Sequence, residues 1–230
     1  MACRSRRGLG AFERTPPLGV RAPSTSGTGR HYLIYSFASG LRVLNGFLQS
    51  LVGLHDFAAS SGDRRARRLF HDGDRAARRE ISRYDTGAWS LYSLGGNESD
   101  LGYHRLVRDF LVSLCERTNA SGYCSPAKRF ERYLHERTRV GFSGVTSVRV
   151  GGEANIRFTL SKLSCVTVRV RRGARLVHVR KLVLPHGLRG LTYAPPRRGR
   201  YTIQVQAVDL LNHYTRVRRT LVVRPRKART

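Results

Sequence analysis

FERYLHERTRVGFSGVTSVRVGGEANIRFTL, residues 130–160, is the stretch on which the fold turns. Its first residues place Phe130, Tyr133 and Leu134 at the three- and four-residue steps of a helix. From Gly144 the apolar residues instead fall on every second position, and Val145–Val150 and Ala154–Leu160 read as strands. Periods of 3.6 and 2 cannot describe the same element, so the chain changes architecture near Gly141–Gly144. Downstream the alternation continues through Cys165–Val170, Leu176–Leu184, Gly187–Tyr193, Tyr201–Asp209 and Tyr214–Val223. Turn-forming groups such as Arg172-Gly173, Pro185-His186-Gly187 and Pro195-Pro196 punctuate it. Short alternating strands at this spacing predict an immunoglobulin-like antiparallel β-sandwich over 139–225, followed by a basic tail at 226–230. The Cys…Trp…Cys set of antibody domains is missing from this part.

Upstream, four helices are expected within 31–138. Leu41, Leu44, Leu48, Leu51 and Val52 give the first an apolar face. Gly62-Asp63 ends that helix and caps the second, which carries Ala66, Leu69, Phe70, Ala76, Ala77 and Ile81. The third starts near Asp100, and Ser125-Pro126 reads as the cap and first turn of the fourth. Between the second and third lies a long loop, Tyr84 to Ser99, of a kind that often carries function. Residues 1–30 show neither period and are rich in Arg, Pro, Gly and Ser, so a disordered tail is expected there. It contains no apolar core of a secretory signal.

The 230 residues carry 43 Lys+Arg and 15 Asp+Glu, a formal net charge of +28. The excess is unevenly spread: net +5 in residues 1–30, +4 in 31–138 and +19 in 139–230. A polyanionic partner follows from such a field, although arginine-rich coding is an equal explanation. Basic residues are not interleaved with exposed aromatics in a known module, which argues against nucleic acid. No run is long and apolar enough to span a membrane. Cys115 and Cys124 could bridge a short loop, but two unpaired buried thiols are expected; the histidines show no ligand spacing, and neither metal nor cofactor is implied.

Three segments together carry a resemblance. Val43-Leu44-Asn45-Gly46-Phe47 with Ser50-Leu51-Val52-Gly53-Leu54-His55-Asp56, then Tyr84-Asp85-Thr86-Gly87…Tyr92-Ser93-Leu94, then Tyr103-His104, resemble in order and spacing the helical domain of D-glucuronyl C5-epimerases from about residue 31 to 137. The resemblance implies the C-terminal part of an α/α-barrel-type domain, hence a multidomain α + β chain. It also implies a uronate polymer as substrate, inversion at C5 of a hexuronic acid, and a secreted or cell-envelope setting. On the matched positions Tyr103 is the expected acid/base, with Tyr92 and Tyr35 holding or protonating the sugar and Asn45, Tyr84 and His104 binding substrate. A phenol is a poor base at neutral pH until nearby cations stabilise its phenolate, which an arginine-rich site can do.

Two positions depart from the family. Ile34 stands where the family has an acid before the tyrosine matched by Tyr35, and Gly95 stands where it has a basic residue. Only about half the family's helices are countable, so the chain is expected to be a piece of the full domain with reduced activity alone. Competing readings are a non-catalytic acidic-glycan or envelope binding protein, and a uronate lyase, whose β-elimination starts from the same proton abstraction. The residues leave a homodimer open.

Overall fold

Gly62, in the left-handed region at φ 67°, ends one helix, and the Asp63 side chain accepts from the backbone N–H of Arg65 and Ala66 to start the next. This local chemistry sits in a computed structural model that describes residues 2–144 and 146–226, residues 2–7 by backbone alone. The chain forms two compact units, 1–135 and 136–230.

The first unit contains helices α1 (Ala2–Glu13), α2 (Leu44–Ser61), α3 (Arg64–Glu80), α4 (Leu101–Thr118) and α5 (Ser121–His135), with a 3-10 turn over Ile81–Tyr84. Strands β1 (Arg21–Pro23) and β2 (Arg30–Tyr32) pair antiparallel. Most of the expected apolar stripe is used: Leu44, Phe47, Leu48 and Leu51 are buried, as are Leu54 and Ala58, whereas Leu41 lies exposed before the helix and Val52 is half-buried. On α3 the residues Ala66, Leu69, Phe70, Ala76 and Ala77 turn inward.

Three expectations are corrected here. Residues 1–30 are not a disordered tail among the described residues, since they hold α1 and the β1–β2 ribbon. The anchor is a buried hydrogen bond from His31 Nδ1 to Glu80 Oε2 at 2.8 Å, both side chains without solvent exposure. Ser24 Oγ (2.7 Å), Thr25 N (2.6 Å) and Thr25 Oγ1 (3.0 Å) also donate to Glu80 Oε1. Burial alone would raise the Glu80 pKa, but the hydrogen bonds from His31, Ser24 and the Thr25 N–H bring it down to about 2. Burial pushes His31 down; with Nδ1–H on Glu80, its buried Nε2 has no hydrogen-bond partner, which suits the neutral ring. The Glu80 carboxylate is the charge that the four donors secure.

Cys115 and Cys124 are joined in a disulfide between α4 and α5 rather than left as thiols. The fourth helix starts at Ser121, and Pro126 lies inside it. Its extra first turn is held by Tyr123, fully buried, whose hydroxyl donates to Asp74 on α3 at 2.8 Å while the Arg78 guanidinium lies 5.5 Å over the ring. A contact 49 residues away in sequence outweighs the Ser-Pro signal.

The second unit is a two-sheet sandwich of immunoglobulin-like form. Its strands are β3 (Val140–Phe142), β4 (Ser147–Arg149), β5 (Ala154–Leu160), β6 (Ser164–Arg172), β7 (Arg175–Leu184), β8 (Gly187–Tyr193), β9 (Gly199–Asp209) and β10 (Tyr214–Arg224). One sheet runs β4-β10-β9-β6-β7 and the other β3-β5-β8. Alternate residues of β5, β6 and β9, among them Ile156, Phe158, Val166, Val168, Ile203 and Val205, form the core. Two details differ from expectation: β3 is an additional strand, and β4 pairs parallel to β10 within an otherwise antiparallel sandwich. Asp209 Oδ1 accepts from the N–H of Leu211 and His213, each at 3.0 Å, and Asn212 adopts φ 62°, closing the β9–β10 turn.

Candidate functional site

The loop from Tyr84 to Ser99 is ordered by backbone pairing to the start of α2. Leu44 N–H donates to the Tyr92 carbonyl (3.2 Å) and Leu94 N–H to the Arg42 carbonyl (3.0 Å), around a bridge between Val43 and Ser93. The loop closes on itself through the Asp85–Ser90 and Leu91–Glu98 bridges. Asp85 fastens its start to α5, accepting from the Tyr133 hydroxyl at 2.9 Å and Arg129 Nε at 3.1 Å.

Beneath the loop, Trp89 stacks on His104 with ring centroids 3.7 Å apart and donates from Nε1 to the Ser99 carbonyl at 2.8 Å. The backbone N–H of Ser90 donates to His104 Nδ1 (3.3 Å), so the ring proton sits on Nε2, which donates to the Phe130 carbonyl at 3.0 Å. His104 thus ties the loop, α4 and α5 together.

The consequence for the neighbouring residue is geometric. His104 points inward, and Tyr103, one position earlier on α4, turns outward and is 38% exposed. Asp100 caps this helix end, accepting from Tyr103 N–H at 2.8 Å. The Tyr103 ring meets Tyr92 edge to face at 4.9 Å, and the Tyr92 and Tyr35 hydroxyls lie close enough to interact. The three tyrosines singled out in the sequence therefore form one cluster, drawn from the segment before α2, the loop, and the first turn of α4.

Within the cluster Tyr92 has its pKa raised to about 12, through its interaction with the Tyr35 hydroxyl, then burial, then the proximity of Tyr35 and Tyr103. Tyr92 is a proton holder at neutral pH.

The three residues expected to bind substrate lie elsewhere or deeper. His104 has no solvent exposure and serves the interior. Tyr84 is likewise buried, its hydroxyl donating to the Arg42 carbonyl at 3.2 Å, and burial drives its pKa upward. Neither can touch a polymer at the surface. Asn45 is buried in the first turn of α2, and its Oδ1 has no hydrogen-bond partner among the described residues. Ser90 is a positioning residue that sequence reasoning missed, because a serine in a polar loop gives no signal that it faces a histidine. Ile34 is 41% exposed and lies against Gly46, where an added Cβ would come 2.0 Å from Ile34 Cδ1.

Fold and site together define a helical unit presenting a phenol cluster, coupled in sequence to a β-sandwich. Residues 10–132 match the family model described as D-glucuronyl C5-epimerase C-terminus, and the chain belongs to that family. The match includes most of the N-terminal segment that composition had marked as a tail. Among curated proteins, the chain is 28% identical over 88 residues to an uncharacterized protein, MJ1128, of Methanocaldococcus jannaschii. That stretch is 38% of this chain and 29% of that protein's length. Among solved structures, the PKD domain of an M14-like peptidase from Thermoplasmatales archaeon SCGC AB-540-F20 is similar at 16% identity and a TM-score of 0.30, over 38% of this chain and 93% of that one. The CARDB domain of the PF1109 protein from Pyrococcus furiosus is similar at 18% identity and a TM-score of 0.28, over 39% and 94%. The sandwich assignment rests on the strand pairing described above. No helix among the described residues is long and apolar enough to cross a membrane, and no cluster of metal-ligating side chains occurs among them.

Proposed function

We propose that the helical unit is part of an α/α-barrel-type domain acting on a uronic-acid-containing polysaccharide by removal and return of the C5 proton. The observation that carries this reading is the contact of Tyr35, Tyr92 and Tyr103 in a chain that belongs to the epimerase family. C5–H is acidified by the adjacent carboxylate, which takes up developing charge as the proton leaves. Inversion needs a proton acceptor on one face of the ring and a donor on the other. Tyr92, holding its proton to about pH 12, suits the donor or sugar-holding role. Tyr103, the exposed member, is the acid/base candidate on the reacting face. With Ile34 and Gly95 at positions where the family has charged groups, activity of this chain alone is low. The Cys115–Cys124 disulfide fits an oxidising, extracytoplasmic setting for such a polymer-directed protein.

The test is incubation of the full chain with a glucuronate-containing polysaccharide in deuterated water. Deuterium at C5 is expected, and Tyr103→Phe abolishes it with circular dichroism unchanged. Tyr92→Phe reduces it less. An unsaturated uronate chromophore would assign lyase chemistry instead. Retained polymer binding without exchange would leave a glycan-binding protein, the reading favoured by Ile34 and Gly95. Ile34→Glu places a carboxylate over the first turn of α2, beside Gly46, and raises exchange if the missing acid is the lesion.

A further inference from the structure

Register brings one group of arginines to a single end of the sandwich. Arg172 and Arg175 face each other across the β6–β7 hairpin, Arg171 pairs with Thr202 of β9, and the β8–β9 loop delivers Arg197 and Arg198 just before Arg200. Between hairpin and loop lies an open cleft of about 720 Å³ lined by Arg172, Arg175, Leu176, Val177, Pro196 and Arg197, with Tyr201 at its base.

The two walls are fastened together. Arg172 Nη2 donates to the Arg198 carbonyl at 3.1 Å, and the Tyr201 hydroxyl donates to the Arg197 carbonyl at 2.7 Å. Gly199, at φ 136°, lets Arg172 approach: a Cβ there would lie 3.3 Å from Arg172 Nε. Arg175 and Arg197 are exposed, and among the described residues neither has a carboxylate partner. From Ala154 to Val208 the chain contains no Asp or Glu, and Glu153, at the start of β5, makes no ion pair among the described residues. This is a preorganised set of guanidinium forks without internal counter-charge, beside an aliphatic strip.

We propose that this cleft binds the carboxylate or sulfate groups of an acidic polysaccharide, a site separate from the tyrosine cluster. The choice of a polysaccharide rests on the epimerase-family reading. It also rests on the surface itself. Guanidinium forks match planar carboxylate and sulfate oxygens two at a time. The aliphatic strip offers no exposed aromatic platform on which a nucleobase could stack.

The experiment uses the full chain and a fluorescently labelled, size-defined heparin hexasaccharide near physiological salt. Arg175→Glu with Arg197→Glu is compared with Arg216→Glu and Arg219→Glu on β10, an equal change of charge at exposed positions outside the cleft lining. The cleft pair is expected to weaken binding at least about tenfold, the loss of charged hydrogen bonds, and the β10 pair less than about threefold. Equal losses would overturn the proposal and reduce binding to net charge. Tighter binding of a single-stranded oligonucleotide of matched charge, or of anionic vesicles, would overturn the polysaccharide assignment. C5 exchange is followed in the unmodified chain: its absence, with hexasaccharide binding intact and sensitive to the cleft pair, breaks the epimerase reading alone, whereas failure of the cleft pair to weaken binding, with exchange present, breaks this one alone.

Discussion

Arginine does opposite work in the two units. In the helical unit several arginines are paired: Arg65 with Glu13 (2.7 Å), Arg78 with Asp74 (2.9 Å), Arg117 with Asp56 (2.6 Å), Arg129 with Asp85 (3.1 Å) and Arg108 with Glu131. In the sandwich Arg139 meets Glu136 and His213 meets Asp209, while the arginines at the cleft end have no carboxylate partner among the described residues. The same residue type therefore holds structure in place where acids are present, and projects a field where they are absent. Composition alone merges the two uses into one large positive number.

Breaking the most buried pairing should give the largest effect. Glu80→Ala leaves His31, Ser24 and Thr25 facing a vacancy and is expected to destabilise the helical unit by about 3–5 kcal/mol. The check is a thermal or urea melt of the full chain, with the helical transition lowered and the sandwich transition unmoved. An unchanged melt would mean that the N-terminal ribbon does not depend on this pair.

Acid should reveal the same pair. The Glu80 pKa lies at about 2 in the fold against an ordinary value of 4.5, so its contribution is fully present above 4.5 and is lost as pH falls toward 2. His31, pushed below its ordinary 6.5, acts in the same direction, since the unfolded chain takes up a proton that the buried ring resists. Stability of the helical unit measured against pH should therefore fall on acidification, and Glu80→Gln should flatten the part of that slope below pH 4.5.

Smaller effects sharpen the contrast. Replacing Cys115 and Cys124 by serine should cost about 2–3 kcal/mol in the helical unit alone. Asp63→Ala, which removes the cap of α3, should cost about 1 kcal/mol. Arg216→Ala on the solvent face of β10 should change stability by less than about 0.5 kcal/mol, and a larger loss would show that this sandwich arginine is structural after all.

Much of the architecture was legible because its signals are local. The Gly62-Asp63 junction, the capping aspartate Asp100 and the alternation of Ala154–Leu160 are each decided within a few residues, by backbone conformation, capping or pleat. The short strand β3 and the ribbon of β1 and β2 were not legible, since three-residue elements carry too little period to read. The start of α5 departs from its local signal because the Ser-Pro cap is outweighed by the burial of Tyr123 against α3. For the site, Tyr35, Tyr92 and Tyr103 were found through their place in the family's motifs. Their contact and the direction of the Tyr92 shift came from packing.

By itself the sequence determined the change from helix to strand, the helix junctions, the confinement of uncompensated charge to the C-terminal third, and the tyrosines worth naming. Tertiary structure decided which tyrosines face solvent, that His104 is an interior fastening, and that the N-terminal segment is held by Glu80. It also decided that arginines distant along the chain converge on one end of the sandwich. Period and capping are properties of neighbouring residues. Burial, protonation and convergence depend on partners tens of residues away, so they exist only once the chain has closed on itself.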